Sequence, residues 1–252
     1  MEITPIRVEG LSWARGPARI EHGTIILDRA RAEEYEFLNP ELSERMAFEL
    51  AGLPWHRRDE REVVRFVRRY GLLSHSADDL KRGEDRESLE DWWREATTLH
   101  FVGAFYQNLM DSKRSGRAKA IQDFLRQFGY GFRYLKSEAA DFDQAYIIEA
   151  SVMLANLINT GMHGRRSGER CEWGLNAIGP GEFRLTQHPP DLISRAYAAF
   201  ATLIAGQVET RFCPVCGKQF RPKPRQGECC SPAHQSTYRG WRKRGDPRAA
   251  GE

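Results

Sequence analysis

Arg211-Phe212-Cys213-Pro214-Val215-Cys216-Gly217-Lys218-Gln219-Phe220 is followed, nine residues later, by Cys230-Ser231-Pro232-Ala233-His234. Two residues separate the first pair of thiols, which lets the backbone turn around a single point. Gly217 supplies the dihedral freedom that such a turn needs. Ser231 is a strong helix N-cap and Pro232 suits the first helical position, so a helix is predicted to open there. His234 then falls in the first turn, where its ring can swing back toward Cys230. Cys-x2-Cys-x13-Cys-x3-His is thus one set of four soft donors, the pattern of a structural zinc site.

The expected ligands are Cys213, Cys216, Cys230 and His234. Cys229 is the rival for Cys230, and the cap at Ser231 favours Cys230 because it sits nearer the helix start. Four protein ligands leave no open position, so the site is read as structural and no water is activated there. A turn, a hairpin and a helix carrying the second ligand pair is a treble-clef-like arrangement. Phe220 is the large apolar residue between the two halves and is expected to pack on the site. Four of the five cysteines crowd into this segment, which points to metal and away from a disulfide framework.

Beyond His234 the chain reads Tyr238-Arg239-Gly240-Trp241-Arg242-Lys243-Arg244. Helical spacing puts His234, Tyr238 and Trp241 on one face, expected to pack on the finger. Arg239, Arg242 and Lys243 share another, and Asp246-Pro247 is expected to end the helix. Lys218, Arg221, Lys223 and Arg225 add a second basic edge between the ligand pairs. Residues 211–252 carry a net charge of +7, while residues 1–210 carry −4. A basic module on a mildly acidic body suits a polyanionic partner. The candidate nucleic-acid contacts are therefore Lys218, Arg221, Lys223, Arg225, Arg239, Arg242, Lys243 and Arg244, with DNA preferred over RNA.

Upstream, the pattern is mainly α with small β elements, an α+β chain. A helical domain is expected over 1–207 and a finger domain over 208–252. Ala18–Leu27 reads as a hairpin turning at His22-Gly23. Asn39-Pro40 opens one helix, and Asp59 caps another that stops at Gly71. Ser88-Leu89 opens the longest helix, with Trp92, Trp93, Ala96, Leu99 and Phe105 inward. Further helices are expected over Arg117–Phe128, Asp143–Asn159 and Asp191–Gln207. Asp143–Asn159 is apolar around most of its circumference and so is expected at the centre. Arg170–Asn176 and Gly181–Gln187 read as a second hairpin.

The remaining clusters carry less. Trp92-Trp93 with His100 and Tyr106 could line a pocket but reads more simply as core. His163 with Arg165 and Arg166 reads as a solvated loop, and Cys171 as a small buried residue. Glu33-Glu34 and Asp78-Asp79 read as solvated acids. There is no Ser nucleophile elbow, no phosphate loop ending in Lys-Ser/Thr and no His-Glu-x-x-His, so no enzyme is expected. Residues 217–229 hold no His, which removes the catalytic residue of a treble-clef nuclease. The N-terminus lacks a signal-like apolar run, and a cytoplasmic, membrane-free protein is expected.

The frame Cys213-Pro214-Val215-Cys216-Gly217…Cys230-Ser231-Pro232 followed by a basic helix resembles the CGNR-type zinc-finger family over about forty residues. Where that family carries Cys-Gly-Asn-Arg, this chain has His234-Gln235-Ser236-Thr237. His in place of Cys keeps a zinc ligand. The Gly-Asn-Arg triplet has no counterpart, and Arg239 is the nearest arginine. The resemblance implies a helical ABATE-like N-terminal domain, bound zinc and a bacterial, stress-linked transcription regulator. It leaves room for a homodimer through the helical domain. A protein-interaction module with purely structural zinc, and an RNA-binding protein, are the alternatives.

Overall fold

The structure is a computed structural model. It describes residues 7–8, 12–36, 40–54, 57–111, 142–162, 172–179, 182–188, 191–223, 226–246 and 248. The helix expected over Arg117–Phe128, the loop holding His163, Arg165 and Arg166, and Cys171 lie outside these residues. The described chain is mixed α and β, with small sheets between helices. It divides into two compact units: Met1–Leu99 with Asn159–Thr202, and His100–Ile158 with Leu203–Glu252.

In the first unit, strand β1 (Arg7–Val8) lies parallel to β8 (Glu182–His188), which pairs antiparallel with β7 (Glu172–Gly179). The β7–β8 hairpin matches the expected one. The parallel partner from the N-terminus is new, since no local pattern announces a two-residue strand. Strands β3 (Ala18–Glu21) and β4 (Thr24–Leu27) form the hairpin at His22-Gly23, where both residues have positive φ. Strand β6 (Arg86–Ser88) adds to β4, and β2 (Ser12–Arg15) pairs with β5 (Glu33–Glu36).

The helices follow from their caps. Helix α1 spans Pro40–Ala51 and α2 spans Glu60–Tyr70. Asp59 caps α2 by accepting the Arg61 amide, with Glu60 and Glu62 in the first turn and Arg68 and Arg69 in the last, which suits the helix dipole. Gly71 stops it at φ 95°. A Cβ there would stand 2.2 Å from the Ala14 carbonyl oxygen, so only glycine fits. Short helix α3 (Ala77–Lys81) is closed by a capping box between Ser76 and Asp79. Asp79 is therefore buried, and the expectation of a solvated Asp78-Asp79 pair fails for that residue.

Helix α4 spans Leu89–Asp111, α5 Phe142–Met162 and α6 Leu192–Ala205. Trp92, Trp93, Ala96 and Leu99 of α4 are buried, as their spacing implies. Phe66 of α2 meets Trp92 edge to face at 5.4 Å, and Phe48 meets Phe200 at 5.9 Å. Arg195 is buried in this core; its Nε donates to Ser43 Oγ at 2.8 Å and its guanidinium lies 5.4 Å from the Trp13 ring.

Helix α5 was expected at the centre, and its side chains are described from Ala150 on. Burial repeats at Ala150, Leu154 and Ile158, one face at i, i+4 spacing, while Val152 is 54% exposed. Apolar residues all round a helix identify a candidate for burial; they do not supply neighbours for every face.

Candidate metal centre

In the second unit, strands β9 (Arg211–Phe212) and β10 (Gln219–Phe220) form a two-residue hairpin around the Cys213–Cys216 turn. The Cys213 amide donates to the Lys218 carbonyl at 3.0 Å, and the Gly217 amide to the Cys213 carbonyl at 2.8 Å. Gly217 takes φ 69°, the left-handed conformation the turn requires. Helix α7 (Pro232–Arg244) starts as expected: Ser231 Oγ accepts the His234 amide at 3.2 Å, and Pro232 sits in the first turn. It ends at Arg244, two residues before Asp246. Gly245 takes φ 63° and sends its amide back to the Arg242 and Trp241 carbonyls, so a left-handed glycine cap does what was expected of Asp246-Pro247.

These two starts bring Cys213, Cys216, Cys230 and His234 together. One donor atom from each lies within 4.8 Å of all the others, a group that could hold a metal ion. Cys216 Sγ and Cys230 Sγ are 3.7 Å apart, and Cys213 Sγ is 3.6 Å from His234 Nδ1. A tetrahedron with metal–sulfur bonds of about 2.3 Å and metal–nitrogen bonds of about 2.05 Å has sulfur–sulfur edges of about 3.8 Å and sulfur–nitrogen edges of about 3.6 Å. The third edge, Cys230 Sγ to His234 Nδ1, is shorter at 3.1 Å.

Charge supports the same reading. Burial works against ionisation of Cys213, but the amides of Cys230, Cys216 and Val215 outweigh it and bring the thiol down to about 6. Burial raises Cys216, and its neighbour Cys213 adds to that rise. Burial, then hydrogen bonding to Cys216 and Cys213, pushes Cys230 up to about 12. Ionising one thiol of the cluster therefore makes ionisation of its neighbours harder. A divalent cation removes that conflict and releases the protons.

Cys229 stands outside the ligand group. It is 1% exposed and packs with Cys213 and Phe220, with Val215, Cys216, Cys230 and Tyr238 against them. Phe220 thus packs on the cluster, as expected, within the C-terminal segment named the finger for its expected form. Tyr238 joins this core from α7. Trp241 is instead covered by Arg248, whose guanidinium lies 4.6 Å from its ring.

Sequence reasoning missed the residues that seat the finger. Gln219 is buried and donates to Thr210 Oγ1 at 2.9 Å. Its side chain occupies the space above Gly103 of α4, where a Cβ would meet Gln219 Oε1 at 2.1 Å. The His100 ring lies 5.1 Å from Phe212, and the Tyr106 hydroxyl donates to the Val208 carbonyl at 3.0 Å. His100 and Tyr106 therefore support the finger. The only hint in the sequence was a glycine within a helix, which marks close approach without naming the partner.

Among the basic residues, Lys218, Arg221, Lys223, Arg239, Arg242, Lys243 and Arg244 are all exposed, and Arg225 lies outside the described residues. Helix α7 carries no acid. Arg248 is held by Asp246 at 2.6 Å and keeps that carboxyl down at about 2. Among the described residues, no helix is long and apolar enough to cross a membrane. Set against protein-family models, curated proteins and solved structures, the chain matches none of them.

Proposed function

We propose that Cys213, Cys216, Cys230 and His234 hold one structural zinc ion in a treble-clef-like finger, and that the finger binds DNA as part of a transcription regulator. Three thiols and an imidazole form a soft donor set suited to zinc, with no hard oxygen ligand among them. The observation that carries the DNA reading is the surface of α7. Arg239, Arg242, Lys243 and Arg244 are exposed on a helix without acids, whose N-terminal end is fixed by two ligands of the site. Tyr238 packs against the buried Cys213, Phe220 and Cys229, and the Trp241 ring is covered by Arg248. Single-strand binders use exposed aromatics as stacking platforms, and this helix offers cations instead.

The test is fluorescence anisotropy of the full zinc-loaded chain with duplex DNA across a salt series. The full chain is needed because His100, Gly103 and Tyr106 support the finger. Each phosphate contact adds about 0.9 to the slope of log affinity against log salt. Replacing Arg239, Arg242 and Lys243 by Ala is expected to lower that slope by about 2.7 and to leave zinc content unchanged. Salt-independent binding, or none, overturns the DNA reading. Loss of zinc stoichiometry in Cys213→Ser or Cys230→Ser is required by the metal reading.

A further inference from the structure

Two adjacent cysteines stand beside one metal position, and the structure holds one of them back by its backbone. The Cys229 amide donates to Gln235 Oε1 at 3.3 Å. The Cys229 carbonyl accepts from Gln226 Nε2 at 2.9 Å. Gln226 is itself fixed, since its Oε1 accepts the Lys223 amide at 2.9 Å. Gln235 reaches its place only because residue 227 is glycine: a Cβ there would stand 2.3 Å from Gln235 Oε1. Both polar groups of the Cys229 peptide are therefore tied, one from each side, while its thiol faces the finger's core beside Cys213 and Phe220.

We infer that Gln226 and Gln235 are positioning residues of the metal centre, which clamp the Cys229 peptide so that Cys230 and not Cys229 meets the ion. The inference rests on the metal reading above. Partners of this kind hold ligands in orientation, and their loss costs about 10- to 100-fold in metal affinity. Here the clamp also selects between two chemically identical thiols one residue apart. Hydrophobic packing of Cys229 alone leaves that choice loose, because the thiol already lies in the ligand cluster's core.

Cobalt(II) bound to the full chain reports the outcome, since its thiolate charge-transfer band grows with the number of sulfur ligands. The wild-type chain is expected to show three thiolates and one nitrogen. Cys230→Ser alone is expected to lose about a third of the band, because the clamped Cys229 cannot replace it. Cys230→Ser combined with Gln235→Ala and Gln226→Ala is expected to regain it through Cys229. Cys230→Ser with Gly227→Ala tests the same release without touching either glutamine. Gln235→Glu keeps the acceptor oxygen, so Cys230→Ser with Gln235→Glu is expected to stay unrescued. Full band intensity in Cys230→Ser alone overturns the clamp, as does failure of both release variants to restore it. A wild-type chain that binds no cobalt defeats the metal reading itself.

Discussion

The finger and the first unit solve the same problem with different means. The first unit buries Trp13, Ile25, Met46, Leu50, Phe66, Tyr70, Trp92 and Phe200 among helices and small sheets. The finger buries Cys213, Phe220 and Cys229. Full burial of one Phe contributes about 1.5–3 kcal/mol. Ordering one residue's backbone costs about 1–2 kcal/mol. Apolar area is thus plentiful in the first unit and scarce in the finger, where the proposed ion would add to the seat that His100, Gly103 and Tyr106 provide.

The largest effect that sharpens this contrast is metal removal. Structural zinc sites contribute about 10–16 kcal/mol of apparent folding free energy at neutral pH. Chelation, or Cys213→Ser, is expected to collapse hydrogen-exchange protection in α7 while α1 and α2 keep theirs. Equal loss in all three helices would mean that the first unit also depends on the ion. Protection of α7 unchanged by chelation would mean that packing alone orders the finger.

The first unit has its own polar centre, and it was invisible in the sequence. Glu87 sits in Arg86-Glu87-Ser88, a polar run with no sign of burial. In the fold its carboxylate is buried and accepts from the amides of Leu73 and Ser74, the Ser74 hydroxyl, His75 Nδ1 and Trp92 Nε1. Strand β6 explains this: in a strand paired on β4, Glu87 points inward where Arg86 and Ser88 point out. Burial works against ionisation of Glu87, but the hydrogen bond and charge of His75 and the amides of Ser74 and Leu73 prevail and hold it below the ordinary 4.5. Glu87→Ala is expected to cost about 3–5 kcal/mol, because five donors lose their partner in a buried place. A depressed carboxyl stabilises the fold above its unfolded value, so this contribution is complete at neutral pH. It is lost as pH falls below about 4.5 and through the lower folded value. Urea unfolding of the first unit between pH 7 and 3 checks this, and Glu87→Gln should flatten the profile. An unchanged profile would remove Glu87 from the account.

What the sequence disclosed in each region follows from the range of the interactions. Cys230, Ser231, Pro232 and His234 sit within five residues, and ligand, cap and first turn all depend on that spacing. Asp59 and Gly71 are likewise local to the helix they bound. The β1–β8 pair joins residues almost 180 positions apart, at Arg7 with Thr186, and no pattern of period two or 3.6 encodes it. Gln219, Gln226 and Gln235 are polar residues in a polar module, and only their partners give them meaning. The grouping of Cys213, Cys216, Cys230 and His234 was therefore legible, and the seating through Gln219 was not. In the first unit the caps were legible, and the buried network around Glu87 was not.

Two glycines carry the contrast down to its smallest expected effect. Gly71 and Gly217 both have positive φ, at 95° and 69°. Alanine at 71 meets the Ala14 carbonyl oxygen at 2.2 Å, a backbone atom that moves only if strand β2 moves. Backbone strain and overpacking each cost about 1–3 kcal/mol, so Gly71→Ala is expected to lose about 3 kcal/mol or more in urea unfolding. Alanine at 217 meets nothing within 4 Å. Only the left-handed backbone is penalised there, about 1–2 kcal/mol. Because Gly217 follows Cys216 directly, that cost is expected to appear as roughly tenfold weaker zinc binding in chelator competition, with the first unit's unfolding unchanged. If Gly217→Ala instead lowered the first unit's stability and left zinc affinity intact, metal binding and finger conformation would be uncoupled. The division between a region held by area and a region held by ligands would then fail at its most local test.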